Sequence, residues 1–197
     1  MLQARTLTVG FSDSEDRLWL RLGTDHEGAV QLWLTRRVLA QMLPQIWELL
    51  GRTLELQDPF VARDGRPGTA LQAKIGAADS GGEFDADHRR QQLRRRQLWI
   101  EHELAMESSP PLDDEAARDQ HPAAMQASPR LEGLLSRVHV SADERNVRFQ
   151  FDGPSRSLQF SGARADAHRV LHMIWHVQTN AAWGLQAPWE SDAAECL

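Results

Sequence analysis

The chain has almost no cysteine. Its single cysteine, Cys196, stands next to the C-terminal end, so no disulfide can form within the chain. A reducing compartment is the simpler interpretation. No stretch approaches the roughly 18 consecutive apolar residues of a membrane span, and no long apolar segment follows Met1. These absences predict a cytoplasmic protein that does not enter a membrane.

Lysine is nearly absent as well. Lys74 is the only lysine among 22 lysine and arginine residues, a bias that we attribute to GC-rich coding in a bacterium. The formal net charge is −6 at pH 7, which argues against a protein that coats duplex nucleic acid with its whole surface. Binding to an anionic partner therefore has to be argued from local basic patches.

Common sequence motifs of catalysis are also missing. The chain has no Gly-x-Ser-x-Gly, no Gly-x-Gly-x-x-Gly, and no Gly-Lys-Ser/Thr, since Lys74 is followed by Ile75. Cys196, beside the chain end, is a poor candidate for a positioned nucleophile. The sequence therefore predicts a non-catalytic protein that uses no cofactor.

Two stretches share one pattern, three short alternating strands followed by an amphipathic helix. Alternation of apolar and polar residues is typical of half-buried strands, and apolar residues at every third or fourth position indicate a helix. We expect an α+β fold in which two pseudo-repeated βββα units form a mainly antiparallel six-stranded sheet, with two helices on one face and a long inserted segment. The predicted strands are Thr6–Phe11, Arg17–Leu22, Val30–Leu34, Arg137–Val140, Val147–Phe151 and Leu158–Phe160.

The pattern divides the chain into four parts. The first βββα unit spans residues 1–51 and the second spans residues 135–184, with a C-terminal tail at 185–197. Residues 52–134 form a polar insertion or linker punctuated by proline and glycine. Within it, residues 87–106 predict a helix that has Leu93, Ile100 and Leu104 on one face.

One face of the predicted sheet carries basic and aromatic side chains. With a short turn between the second and third strands, Trp19 lies opposite Trp33 and Arg21 lies opposite Gln31, and Gly10 stands beside Trp19. The second unit adds arginine and glutamine to this face. The candidate partner-binding residues are Trp19, Trp33, Arg17, Arg21, Arg148 and Gln150.

Two functions fit such a face. Aromatic side chains are enriched in protein interfaces, which favours contact with another protein. Indole rings and guanidinium groups on an open sheet can also stack bases and neutralise phosphates, which is typical of proteins that bind single-stranded nucleic acid. We consider the protein contact the stronger prediction and nucleic acid the alternative.

A basic run lies in the predicted central helix. Five of the eight residues from 89 to 96 are arginine, and Glu101, Glu103 and Glu107 follow them. The run is a candidate site for an anionic partner, although the acidic residues also allow charge pairing along the helix or between two copies. Its arginines are Arg89, Arg90, Arg94, Arg95 and Arg96.

Three histidines in the last helix are spaced four residues apart. Adjacent pairs among His168, His172 and His176 could chelate a metal ion from one helical face. They lie opposite the apolar side of the helix, so we expect them to face solvent. Because no further ligand stands at a recognisable spacing, the sequence predicts no complete metal site.

These patterns together predict a non-catalytic cytoplasmic protein that works through protein–protein association. It would be an accessory or assembly subunit, with a homodimer as one possible form. Binding of single-stranded nucleic acid is the alternative, and metal binding through the histidine row is the third prediction. Trp183 and Trp189, after the last helix, could cap the core or dock onto another subunit.

Overall fold

The computed structural model describes residues 1–54, 82–108 and 129–190. In these ranges the chain forms seven strands and three helices. The strands are β1 (Leu2–Ser12), β2 (Arg17–Thr24), β3 (Gly28–Leu34), β4 (Arg130–Leu134), β5 (Arg137–Ala142), β6 (Asn146–Asp152) and β7 (Ser157–Ala163). The helices are α1 (Arg36–Arg52), α2 (Gly82–Glu107) and α3 (Arg164–Asn180).

All seven strands belong to one mixed sheet that curls into a half-barrel, in the order β4-β3-β2-β1-β7-β6-β5. Neighbours are antiparallel within β1–β3 and within β5–β7. The pairs β3–β4 and β1–β7 are parallel, and the second joins residues 2–4 to residues 158–160. The fold is therefore α+β, as expected.

The prediction of a six-stranded, mainly antiparallel sheet with two helices is wrong. A seventh strand, β4, forms at Arg130–Leu134 inside the stretch assigned to the insertion, and α2 is a third helix. Two pairs of neighbours are parallel, and four strands rather than three lie between α2 and α3. The description as two equivalent βββα units therefore fails as well.

The core lies between one sheet face and the helices α1 and α3. Strands β2 and β3 contribute every second residue, because successive side chains of a strand point to opposite faces. The fully buried side chains include Leu18, Leu20, Leu22, Leu32, Leu34, Leu39, Leu43, Phe149, Phe151, Leu158 and Leu171. Helix α1 begins after Thr35, whose Oγ1 accepts a hydrogen bond from the Val38 N–H at 3.3 Å and so caps the helix.

Helix α2 packs against both α1 and α3. Its inward side chains include Leu98, His102 and Ala105, which are each at most 3 % exposed. The row predicted to be its apolar face, Leu93, Ile100 and Leu104, points outward instead, with exposed fractions of 55 %, 42 % and 59 %. The helix therefore buries a partly polar side and exposes an apolar one.

Within the described ranges, no helix is long and apolar enough to cross a membrane. Two sets of side chains are candidates for a functional site. The first lies on the two sides of α2, and the second lies on the sheet face that points away from the helices.

Candidate functional sites

Arg164, the first residue of α3, connects four parts of the fold while it is only 6 % exposed. Its guanidinium group donates to both carboxylate oxygens of Glu101 on α2, at 2.7 and 2.9 Å. It also donates to Thr53 Oγ1 at 2.7 Å and to the backbone carbonyls of Leu50 and Asp143 at 2.9 and 3.3 Å. All five N–H groups of the guanidinium are thus used.

Two of these contacts complete the C-terminal end of α1. The last carbonyls of a helix have no partner within it, and here Leu50 O accepts from Arg164 Nη2. The bidentate pair with Glu101 then ties α1 and α3 to the middle of α2. Arg164 is therefore the point at which the three helices are held together.

Three histidines lie beside this ion pair. The ring of His102, on α2, stands 5.4 Å from the ring of His168 and 5.6 Å from that of His172, both on α3. His168 is fully buried, and its Nε2 lies 3.3 Å from Glu101 Oε2 without meeting hydrogen-bond geometry. The Nδ1 atoms of all three rings are buried without a hydrogen-bond partner among the described atoms.

Tryptophan side chains enclose the histidines. The ring of Trp189 stacks on His102 at 4.4 Å and lies 5.8 Å from His172. Trp47 of α1 meets His102 and His168 edge to face at 5.6 and 5.7 Å. Trp189 therefore covers the cluster from the segment that follows α3, within the same chain.

This environment changes the pKa values of the cluster. Burial, followed by the nearby His168 and His172, lowers the pKa of His102 to about 3. The pKa of His172 is also lowered, first by burial and then by His176. Burial alone would raise the pKa of Glu101, but its contacts with His168 and Arg164 outweigh that effect and hold it at about 2. The stable form at neutral pH has a neutral His102 beside an ionised Glu101.

The predicted histidine row is divided by the structure. His168 is buried and His172 is half-buried, whereas His176 is exposed, so the expectation that all three face solvent is wrong for His168. The reason is that α2 covers this side of α3. In the described ranges, no three His, Cys, Asp or Glu side chains are arranged to hold a metal ion.

The outer sheet face has the predicted pairing in its first part. Trp19 lies opposite Trp33 and Arg21 opposite Gln31, as the alternation predicted. The guanidinium of Arg21 lies 5.0 Å from the centre of the Trp19 ring, in cation–π range, and its Nη2 donates to Gln31 Oε1 at 3.4 Å. Both tryptophans are half-buried.

Gly10 makes room for Trp19. The two residues are paired across β1 and β2, and a Cβ at Gly10 would lie 2.1 Å from Trp19 Cζ2. The indole therefore rests directly on the backbone of β1, which no other residue type at position 10 would allow without moving the ring.

We expect Gly10→Ala to lower the free energy of unfolding by about 1–2 kcal/mol, because the added methyl group overpacks the Trp19 site. Alanine in a strand is otherwise slightly favourable relative to glycine. Urea unfolding of a double-mutant cycle checks this: in a Trp19→Ala background, Gly10→Ala should be neutral or stabilising. An equal loss in both backgrounds would show that the ring contact is not the cause.

The other two residues of the predicted face lie elsewhere. Arg148 and Gln150 are on β6, and β7 pairs with β1 only at residues 2–4. Trp19 lies opposite Gly10, six residues further along β1, an offset of about 20 Å at the usual rise of a strand. The Gln150 amide also donates to Asp152 Oδ1 at 2.9 Å, which places a carboxylate on this side. Nucleic-acid binding at the first part of the face stays a prediction.

The arginine run of α2 is divided between two sides of the helix. Arg90, Arg94 and Arg95 line a cavity of about 630 Å³ between α2 and α1, together with Arg52 of α1. Arg89 and Arg96 do not line it. The largely buried Trp47 and Leu98 also line the cavity, and among the described residues Glu48 is the one carboxylate in its lining.

The opposite side of α2 presents an apolar row, which we call the α2 outer row: Leu93, Ile100 and Leu104. Arg96 stands near its N-terminal end, and Glu103 and Glu107 stand near its C-terminal end, all three of them exposed. The row thus has a basic half and an acidic half.

The cluster of Glu101, His102, Arg164 and Trp189 was not predicted from the sequence. A weak signal was present, because Leu98, His102 and Ala105 follow one another at helical spacing and mark the side of α2 that is buried. Comparisons of the chain with protein-family models, curated proteins and solved structures find no match.

Proposed function

We propose that this protein works through protein–protein association, with the α2 outer row as its contact surface and a second copy of the chain as its partner. The observation that carries the proposal is the row itself: Leu93, Ile100 and Leu104 are each at least 42 % exposed although they are apolar and aligned. Aligned exposed apolar residues on a helix mark contact surfaces more often than isolated ones do.

The spacing of the row fits a paired helix. Leu93, Ile100 and Leu104 are separated by seven and four residues, which is the spacing of the contact positions in a coiled coil. The half-buried Gln97 completes the series between Leu93 and Ile100. In an antiparallel pair centred between residues 98 and 99, Leu93 would lie opposite Leu104 of the second copy, and Gln97 opposite Ile100 of the second copy.

Charge selects the antiparallel arrangement with a second copy. In that arrangement Arg96 faces Glu103 of the second copy, and the two-fold axis repeats the contact. A parallel pair would place the two Arg96 side chains side by side, and likewise the two Glu103 side chains, which repel each other. Within one copy, no described side chain forms an ion pair with Arg96 or Glu103.

Light scattering during size-exclusion chromatography, repeated over a range of protein concentrations, tests the proposal. Because only a few apolar side chains per copy are involved, the contact belongs to the small class of interfaces, and we expect a reversible dimer with Kd in the micromolar range, on the order of 10 µM. Changing Leu93, Ile100 and Leu104 together to glutamine should leave a monomer with unchanged helix content. Leu131→Gln, at another exposed leucine, is the control and should leave the dimer intact.

Charge reversal makes the geometry itself testable. Arg96→Glu alone and Glu103→Arg alone should each weaken the dimer about tenfold, because each creates two like-charged contacts. An equimolar mixture of the two variants should form a mixed dimer, in which both contacts are attractive again. A monomer at every concentration, or variants that dimerise as the original chain does, would contradict the proposal.

A further inference from the structure

The outer face of β1–β3 carries basic and aromatic side chains but no acidic ones. Strands β1, β2 and β3 contain no aspartate or glutamate, in a protein that has 28 of these residues. On the neighbouring β4, the carboxylate of Glu132 is only 2 % exposed and pairs with Arg130 and Arg156 at 3.2 and 3.0 Å. We call this surface the tryptophan face and define it by four side chains: Arg17, Trp19, Arg21 and Trp33.

Neither arginine of the tryptophan face forms an ion pair within the part of the chain that the structure describes. The contacts of Arg21 are with neutral groups, the Trp19 ring at 5.0 Å and Gln31 Oε1 at 3.4 Å. Arg17 begins β2, directly after the acidic turn at residues 13–16, and is half-buried. Two guanidinium charges are therefore available to an anionic partner along β2.

The two tryptophans offer separate aromatic surfaces. The Trp19 ring lies over Gly10 of β1, and so on the side of β2 that is away from Trp33. Although the two residues are cross-strand partners, no ring contact joins them in the described ranges. Both side chains are half-buried, so part of each indole is open to solvent. Each ring can therefore meet a planar group of a partner independently of the other.

We propose that the tryptophan face binds single-stranded nucleic acid. Bases would stack on Trp33 and Trp19, while Arg17 and Arg21 would neutralise phosphates of the same strand. A protein partner would also suit exposed aromatic residues, but strands that carry positive and no negative side chains favour a polyanion. The face lies on the side of the sheet away from the helices. The proposed dimer, which uses the outer side of α2, would leave it free.

Fluorescence anisotropy with a labelled oligothymidylate of about 12 nucleotides tests the inference, because single-strand surfaces contact strands of about this length. At low salt we expect saturable binding with a Kd on the order of 10 µM. An abasic strand of the same length keeps the phosphates and lacks the bases, so it should bind at least about tenfold more weakly. If the oligothymidylate does not bind, or if the abasic strand binds as tightly, the inference is overturned.

Salt dependence measures the contribution of the arginines. Each phosphate contact on a single strand contributes about −0.7 to the slope of log K against log salt, so two contacts give a slope of about −1.4. Arg17→Ala should reduce that slope to about −0.7. Arg145→Ala removes the same charge in the exposed turn before β6 and should leave the slope unchanged. Equal effects of the two variants would overturn the inference, because they would show general charge attraction.

Two variants of Trp33 test stacking. Trp33→Ala should weaken binding of the oligothymidylate about tenfold, whereas Trp33→Phe keeps an aromatic ring and should stay within about threefold of the original Kd. Circular dichroism confirms that each variant is folded, and light scattering follows the oligomeric state of the same samples. Unchanged binding by a folded Trp33→Ala protein would overturn the inference. If that variant also changed the oligomeric state, the face would be a protein contact instead.

Discussion

Arg164→Ala is expected to lower the free energy of unfolding by about 3–5 kcal/mol, the usual cost of removing one partner of a buried ion pair. The substitution leaves the Glu101 carboxylate, 25 % exposed, without its bidentate donor. It also removes one of the two donors of Leu50 O, together with the donor of Thr53 Oγ1, at the end of α1. Urea unfolding followed by circular dichroism measures the loss.

Two further variants identify the cause. Arg145→Ala, a surface change at an exposed arginine in the turn before β6, should alter stability by less than about 0.5 kcal/mol. The double variant Arg164→Met with Glu101→Leu should recover part of the loss, because it leaves no unpaired charge. A loss below about 1 kcal/mol for Arg164→Ala would show that the network does not hold the helices together.

Much of the β2–β3 hairpin could be predicted from the sequence. Alternating leucines fix which side of each strand is buried, and the short connection fixes the register, so the pairing of Trp19 with Trp33 follows and is confirmed. The position of Gly10 beside Trp19 follows in the same way. The local pattern was sufficient to predict these pairs because the residues in contact are close to each other along the chain.

The two parallel strand pairs, β1 with β7 and β3 with β4, could not be predicted in this way. The parallel pair of β1 with β7 joins residues more than 150 positions apart, and alternation does not show which neighbour a strand edge selects. Strand β4 has only five residues, all of them exposed or half-buried, and Gly133 has a φ of 112°, so the strand lacks the apolar pattern of a core strand. A prediction built from hairpins alone therefore gives an antiparallel sheet that lacks β4.

The orientation of α2 was missed for a different reason. Hydrophobic periodicity selects Leu93, Ile100 and Leu104, yet the inward side of the helix carries the buried His102 and the half-buried Glu101. A polar side can be buried only when its groups find partners, and the partner of Glu101 is Arg164, which lies 63 residues away. No local pattern carries that information, so the exposure of the α2 outer row does not follow from the sequence alone.

The second large effect concerns pH. The pKa of His102, lowered to about 3 from its ordinary value of 6.5, means that the unfolded chain binds a proton at this position more readily than the folded chain does. The groups around its ring are His168 and His172 on α3 and the neutral rings of Trp47 and Trp189. Wherever the unfolded state binds more protons, stability falls as pH falls.

Stability is therefore expected to be highest above pH 6.5 and to decrease continuously between pH 6.5 and 4.5. One histidine that stays neutral in the folded state contributes a loss of about 2 kcal/mol over this interval, since each pH unit below the unfolded pKa costs about 1.4 kcal/mol. His172, whose pKa is lowered as well, adds to the same window. Glu101, with a pKa held at about 2, adds a further loss only below about pH 4.5.

His102→Phe isolates the contribution of this ring. Phenylalanine keeps the stacking on Trp189 but cannot bind a proton, so the loss of unfolding free energy between pH 6.5 and 4.5 should shrink by about 2 kcal/mol. His26→Phe, in the exposed turn between β2 and β3, should leave the pH dependence unchanged. Urea titrations at half-unit intervals of pH measure all three chains. If His102→Phe loses stability as steeply as the original chain, then acid acts elsewhere, and the histidine cluster beneath α2 does not set the acid limit of the fold.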